Sequence, residues 1–68
     1  MTKVDLAHKR LLRAHGKYLR AVPCDQRFYI GFLAGLVEAF AITLALAPSQ
    51  IISWIPGLKE AFAEEGVR

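Results

Sequence analysis

Apolar side chains fill residues 28–47 almost without interruption, and Glu38 is the one charged residue in this stretch. A helix of about twenty residues is roughly 30 Å long, close to the thickness of the hydrocarbon core of a bilayer. A buried helix of a soluble protein can be equally apolar, but nothing else in the chain is expected to bury it. The pattern therefore predicts a transmembrane helix over residues 28–47.

A second helical pattern, amphipathic rather than uniformly apolar, covers residues 3–22. At about 100° per residue the basic side chains share one arc and the apolar ones share the opposite arc, a separation that only Leu6 breaks. Such a helix either lies on an anionic leaflet or docks on the cytoplasmic domain of a partner, and the pattern leaves both open. The apolar arc contains Val4, Ala7, Leu11, Leu12, Ala14, Tyr18, Leu19 and Val22, with His8 and His15.

Charge is distributed unevenly along the chain. Residues 1–27 contain seven Lys and Arg and two Asp, a net charge of +5, whereas residues 28–68 contain two Lys and Arg and four Glu, a net charge of −2. Basic flanks of a span stay on the cytoplasmic side. We therefore expect the N-terminus on the cytoplasmic side of a bacterial inner membrane, or on the matrix side of a mitochondrial inner membrane. The basic residues expected at the membrane surface are Lys9, Arg10, Arg13, Lys17 and Arg20.

The chain beyond residue 47 carries boundary signals. Pro48 ends or kinks the span, and Trp54 stands where an aromatic residue commonly anchors a helix at the membrane–water interface. Tyr29 occupies the other boundary. A turn follows, and then a short amphipathic helix that is expected to end near Gly66.

These patterns together predict an all-α membrane protein in three segments. Residues 1–27 form a basic amphipathic segment on the cytoplasmic or matrix side. Residues 28–47 form the transmembrane helix, and residues 48–68 form an interfacial tail on the opposite side, with a short amphipathic helix of its own.

Small residues collect on one side of the predicted span and large apolar residues on the other. Small residues let helices approach closely within a membrane, and Gly31 and Gly35 have the spacing of the GxxxG motif. The bulky side is left to lipid, quinone or another subunit. The predicted helix-packing interface consists of Gly31, Ala34, Gly35, Glu38, Ala41, Ile42 and Ala45.

Glu38 is the residue of the span that needs a partner. A charged side chain at mid-membrane costs roughly 2.5–3.5 kcal/mol on insertion scales, and the chain offers no cation at that depth. Three interpretations follow: a neutral carboxyl hydrogen-bonded to a neighbouring helix, an ion pair with a buried cation of a partner, or a proton-relay or ion site.

Few residues have the types that catalysis or metal binding requires. Cys24 is the only cysteine, which excludes a disulfide within the chain and leaves a reduced thiol or a palmitoylation site. His8 and His15 lie two helical turns apart, too far to share a metal ion on one helix. The basic helix lacks the aromatic or groove-reading pattern of nucleic-acid binding. We therefore predict a protein that is not an enzyme, has no metal or cofactor and does not bind nucleic acid.

The succession of a basic segment, one span and a short tail resembles the small accessory subunits of respiratory and photosynthetic membrane complexes. The sequence Ile-Ser-Trp-Ile-Pro at residues 52–56 is similar to a Trp-hydrophobe-Pro step after the span of the smallest cytochrome bc1 subunit. The basic helix and Glu38 depart from that family's pattern. Bacterial antenna polypeptides have a similar size but bind bacteriochlorophyll through a histidine in the span, which this chain lacks.

The resemblance implies a non-catalytic accessory subunit that packs on and stabilises a larger integral-membrane complex in electron transfer or energy conversion. Its expected partners are larger membrane-protein subunits and the lipid bilayer, with a bound lipid or quinone nearby. The alternative is a self-associating single-span peptide, a regulator or a holin-like element. Its small-residue face would pair with copies of itself and bring two Glu38 carboxyls together.

Overall fold

The computed structural model describes residues 2–64, and over this range the chain is helical with no strands. Its helices are α1, Lys3–Arg20; α2, Pro23–Leu44; α3, Pro48–Ile52; and α4, Leu58–Glu64. The all-α prediction is confirmed for these residues. The predicted helix end near Gly66 lies outside them.

The start of α1 and the break after it follow from local chemistry. The backbone N–H of Asp5 donates to Oγ1 of Thr2 over 3.1 Å, and the backbone N–H of Thr2 donates to Oδ2 of Asp5 over 3.2 Å, which is a capping box. Val22 is extended, as a residue before proline prefers to be. Pro23 is then the first residue of α2, where its missing N–H costs no hydrogen bond.

The apolar helix has different bounds from the predicted span, because it begins at Pro23 rather than residue 28 and ends at Leu44 rather than residue 47. Ala45 adopts the left-handed conformation, with φ 56° and ψ 42°. The N–H of Leu46 donates to the carbonyl of Ala41 over 3.0 Å and closes the last turn. The chain therefore changes direction directly after α2.

Three parts of the chain share one hydrophobic core. The helices α1 and α2 form an antiparallel hairpin, with the first half of α1 beside the second half of α2. The segment from Pro48 onward packs back on the hairpin, and the ring centroids of His8 and Trp54 are 5.7 Å apart. The buried core consists of Leu11, Ala14, Tyr18, Ile30, Leu33, Val37, Ile51, Ile55, Leu58, Ala61 and Phe62.

The bulky side of α2 is covered by the chain itself, which differs from the sequence-based expectation of lipid, quinone or another subunit. Ile30, Leu33 and Val37 are buried against α1 and the C-terminal segment. The apolar arc of α1 and the C-terminal segment thus cover one side of this helix, which the sequence-based premise did not anticipate, and they leave the rest of it uncovered. The first and last segments, expected on opposite sides of a membrane, pack together in this conformation.

Candidate interaction surface

The side of α2 that faces away from the core exposes apolar residues. Ile42 is 83% exposed, Phe28 71% and Phe32 50%. Of the predicted packing residues, Gly31, Gly35, Glu38, Ile42 and Ala45 are exposed, and Ala34 and Ala41 are half-buried. We call Gly31, Gly35, Glu38 and Ile42 the small-residue edge of α2. The structure leaves this edge outside the chain's own core.

The two glycines of the small-residue edge serve no packing purpose within the described chain. A Cβ atom built on Gly31 or Gly35 meets no atom within 4 Å beyond its chain neighbours and the adjoining backbone of α2 itself. Glycine inside a helix costs roughly 0.5–1 kcal/mol relative to alanine. The space above both residues is therefore open to another molecule.

Glu38 lies on the flank of α2 that faces α3. It is exposed and borders an open hollow together with Ala41, Ile42, Leu46 and Pro48. Within residues 2–64 its carboxyl forms no ion pair or hydrogen bond. None of the three interpretations of Glu38 is met inside residues 2–64, so its partner does not come from this part of the chain.

The opposite flank of α2 faces a row of cations on α1. Lys3, Arg10 and Lys17 follow one another at seven-residue intervals, with Arg13 beside them, along two adjoining hollows between the helices. The hollows have volumes of about 190 and 250 Å³ and meet at Arg10. We call them together the α1–α2 groove. Its floor on α2 consists of Phe32, Leu36, Phe40, Thr43 and Leu44.

The predicted surface cations therefore divide into two groups. Arg10, Arg13 and Lys17 line the α1–α2 groove, and Lys3, which was not among the predicted surface residues, extends the row. Lys9 and Arg20 are exposed but lie off the groove. Nε of Arg20 donates to the carbonyl of Gly16 over 3.2 Å.

The two predicted interface anchors are part of the bundle. Tyr29 and Trp54 are half-buried and pack against the hydrophobic core. Trp54 lies beside His8, within the length of the hairpin rather than beyond one of its ends. The aromatic residues most available for contact with a membrane are instead Phe28 and Phe32.

His15 is a buried polar residue. Its position in the apolar arc of α1 is consistent with burial, but the sequence pattern alone did not predict it. It is 8% exposed, and its ring stacks on Tyr18 with centroids 6.1 Å apart. Burial lowers the pKa of His15 below its ordinary value of 6.5, because desolvation disfavours the charged imidazolium.

Acidification is expected to destabilise the bundle through His15. Because its pKa is lower in the folded chain, the unfolded chain binds the proton first as the pH falls below 6.5, and the free energy of unfolding decreases. Above that pH the imidazole is neutral in both states and the effect disappears. Urea unfolding at pH values on both sides of 6.5 measures the slope.

His15→Gln should flatten this pH dependence, whereas the matched variant His8→Gln should leave it in place. Glu60 and Glu64 border the hollow next to His15. Negative charges near a histidine favour the imidazolium, so they oppose the lowering of its pKa by burial. An unchanged slope in His15→Gln would assign the effect to another group.

Residues 2–64 bring together no group of three His, Cys, Asp or Glu side chains that could bind a metal ion. Cys24 is exposed near the start of α2. The described chain thus presents two surfaces, the small-residue edge and the α1–α2 groove, on opposite flanks of one helix.

Within the described residues, α2 is the one helix that is long and apolar enough to cross a membrane. Only 17% of its apolar window is buried within the chain, so most of this helix remains available to other molecules. Comparisons with protein-family models, with curated proteins and with solved structures give no match for the chain. The arrangement defines the class: a small all-helical protein with one helix capable of spanning a membrane.

Proposed function

We propose that the chain is a non-catalytic accessory subunit that packs on a larger integral-membrane complex through the small-residue edge of α2. The observation that carries the proposal is the open space above Gly31 and Gly35. Both glycines weaken the helix, and no contact in residues 2–64 requires them. A helix of a partner can approach the backbone of α2 closely at these two glycines, and larger side chains would prevent this approach.

A role in electron transfer or energy conversion enters this proposal through the resemblance to accessory subunits of respiratory and photosynthetic complexes. Glu38 borders the contact and is exposed beside Ile42. In the complex a hydroxyl, a carbonyl or a cation of the partner satisfies its carboxyl, since an unpartnered carboxylate is costly in an apolar interface.

The proposed location is the inner membrane of a bacterium or a mitochondrion, with the N-terminus on the cytoplasmic or matrix side. A span formed by α2 with α1 still packed along it carries Arg10 and Arg13 towards the bilayer centre, at roughly 2.5–3.5 kcal/mol each. An integral arrangement therefore requires α1 to separate from α2. The closed hairpin suits a location at the membrane surface.

Self-association is the second proposed function, because the open space above Gly31 and Gly35 admits a helix from a second copy as readily as one from a different subunit. Pairing of two copies through this edge brings two Glu38 carboxyls together, and two charged carboxylates repel each other. Such a dimer forms more strongly at low pH. Docking on a different subunit carries no such requirement.

Native electrophoresis of gently solubilised membranes tests the proposal. Gly35→Leu is expected to remove the chain from a high-molecular-mass band, because the new side chain fills the space a partner helix needs. Its own fold should persist, since a Cβ atom at residue 35 has open space around it and leucine favours helix more than glycine.

The matched control is Ala63→Leu, which enlarges an exposed residue of α4 and should leave the band unchanged. Circular dichroism verifies that both variants are folded. Continued migration of folded Gly35→Leu with the complex would contradict the docking proposal. A wild-type band at a small multiple of the chain's own mass, strengthened at low pH, would support self-association instead.

A further inference from the structure

The α1–α2 groove lies on the flank of α2 opposite the small-residue edge. We propose that this groove binds the surface of an anionic phospholipid bilayer, so that the hairpin lies in the plane of the membrane. The cations of α1 contact lipid phosphates, and the apolar floor and rim of α2 enter the adjoining acyl region. This second surface is independent of the partner contact proposed above.

The row of cations has the geometry of a planar contact. Seven residues are close to two helical turns, so Lys3, Arg10 and Lys17 point in nearly the same direction. At roughly 1.5 Å per residue, the row is roughly 21 Å long. A bilayer surface offers phosphates along the whole of such a line.

These cations are not neutralised by the described chain. Within residues 2–64, none of Lys3, Arg10, Arg13 and Lys17 forms an ion pair. The one acidic residue of α1, Asp5, accepts the Thr2 backbone N–H in the capping box. The positive edge of the groove is therefore available to anions outside the chain.

The apolar side of the groove continues onto exposed surface. In its floor Leu36 and Phe40 are half-buried and Phe32 is 50% exposed, and Phe28, one turn before Phe32, is 71% exposed. Interfacial helices bury such residues about 5–10 Å below the headgroups, and basic side chains beside them extend to the phosphates. The groove therefore places cations for the headgroup phosphates next to apolar side chains for the acyl region.

An in-plane orientation follows from the direction of the row. Because α1 runs along α2, a hairpin perpendicular to the membrane places Arg10 far from either headgroup layer. A hairpin parallel to the membrane keeps Lys3, Arg10 and Lys17 at one depth. A nucleic acid also offers phosphates, but it has no apolar layer to cover Phe28 and Phe32.

Flotation of the purified full chain with vesicles tests the proposal. Phosphatidylcholine vesicles containing phosphatidylglycerol should bind the chain, and pure phosphatidylcholine vesicles should bind it far more weakly. Each basic residue near an anionic surface contributes roughly fivefold to partitioning. The triple variant Lys3→Gln, Arg10→Gln, Lys17→Gln should therefore bind roughly a hundredfold more weakly.

The control variant Lys9→Gln, Arg27→Gln, Lys59→Gln removes the same charge from exposed positions off the groove. If the groove is the binding surface, this control loses much less affinity. If both triple variants lose the same affinity for anionic vesicles, binding depends on net charge alone, and the proposal is overturned. Equal binding of wild type to neutral and anionic vesicles would also overturn it.

A fluorescent probe tests the orientation. In a Cys24→Ser background, an environment-sensitive dye on Phe32→Cys should shift to the blue with anionic vesicles, whereas the dye on Lys59→Cys should not. A shift at residue 59 alone would place a different face on the membrane. Gly35→Leu should bind vesicles as wild type does, so failure of the partner contact and failure of the lipid contact are distinguishable.

Discussion

Leu11→Ala is expected to lower the free energy of unfolding by about 2–5 kcal/mol, whereas Leu12→Ala should change it by less than about 0.5 kcal/mol. Leu11 is fully buried between α1 and the rest of the core, and Leu12 is 46% exposed. The two substitutions remove the same atoms from adjacent positions of one helix. Urea unfolding followed by circular dichroism measures both values.

The comparison of Leu11→Ala with Leu12→Ala distinguishes two arrangements of α1: packed on α2 in the hairpin, or lying alone on a leaflet. Leu11 and Leu12 belong to the same apolar arc of the sequence pattern, so a helix bound only through that arc responds similarly to either change. Comparable losses in the two variants would mean that α1 does not pack on α2 as described.

Ile51→Ala is expected to cost about 2–5 kcal/mol of stability, because Ile51 is fully buried where α3 meets the hairpin. The matched variant Ile42→Ala removes the same atoms from a residue that is 83% exposed, and its stability should be unchanged within about 0.5 kcal/mol. Chemical denaturation of both variants gives the comparison.

The same two variants should behave oppositely towards a partner. Ile42 lies on the small-residue edge, so Ile42→Ala should weaken comigration with a complex while the chain stays fully folded. If Ile51→Ala leaves the stability unchanged, the C-terminal segment does not pack on the hairpin, and an opposite-side tail becomes the better description.

The sequence pattern predicted the helices better than their ends. Residues 23–27 include Asp25 and Arg27. Charged residues are common at the exposed start of a helix, but they lower the mean hydropathy of this segment. Hydropathy therefore located the apolar part of α2 and missed its first turn. Pro23 marks the true start of α2, since proline is well suited to the first position of a helix.

Periodicity also could not decide what covers the bulky side of α2. A lipid chain and the apolar arc of α1 present the same chemistry to Leu33 and Val37. The arc of α1 is wider than the contact it makes, which explains why Leu12 and Leu19 are exposed while Leu11 is buried. The small-residue edge was predictable, because Gly31, Gly35 and Glu38 fall on one side of a helical wheel, with Ile42 as the one large apolar member.

The groove was not predictable from either helix alone. The sequence gives the cations of α1 and the aromatics of α2 separately, and only the antiparallel packing places Arg10 beside Leu36. Lys3 was omitted from the predicted surface residues, although its seven-residue spacing from Arg10 indicates a shared face.

Ala45 places backbone strain in the turn after α2. A left-handed conformation is unfavourable by roughly 1–2 kcal/mol for a residue that bears a Cβ, and glycine avoids this strain. If Ala45 relaxes to the right-handed region, α2 can lengthen towards Pro48 and swing the C-terminal segment away from the hairpin. The turn at Ala45 therefore stores backbone strain that a continuous, longer α2 would release.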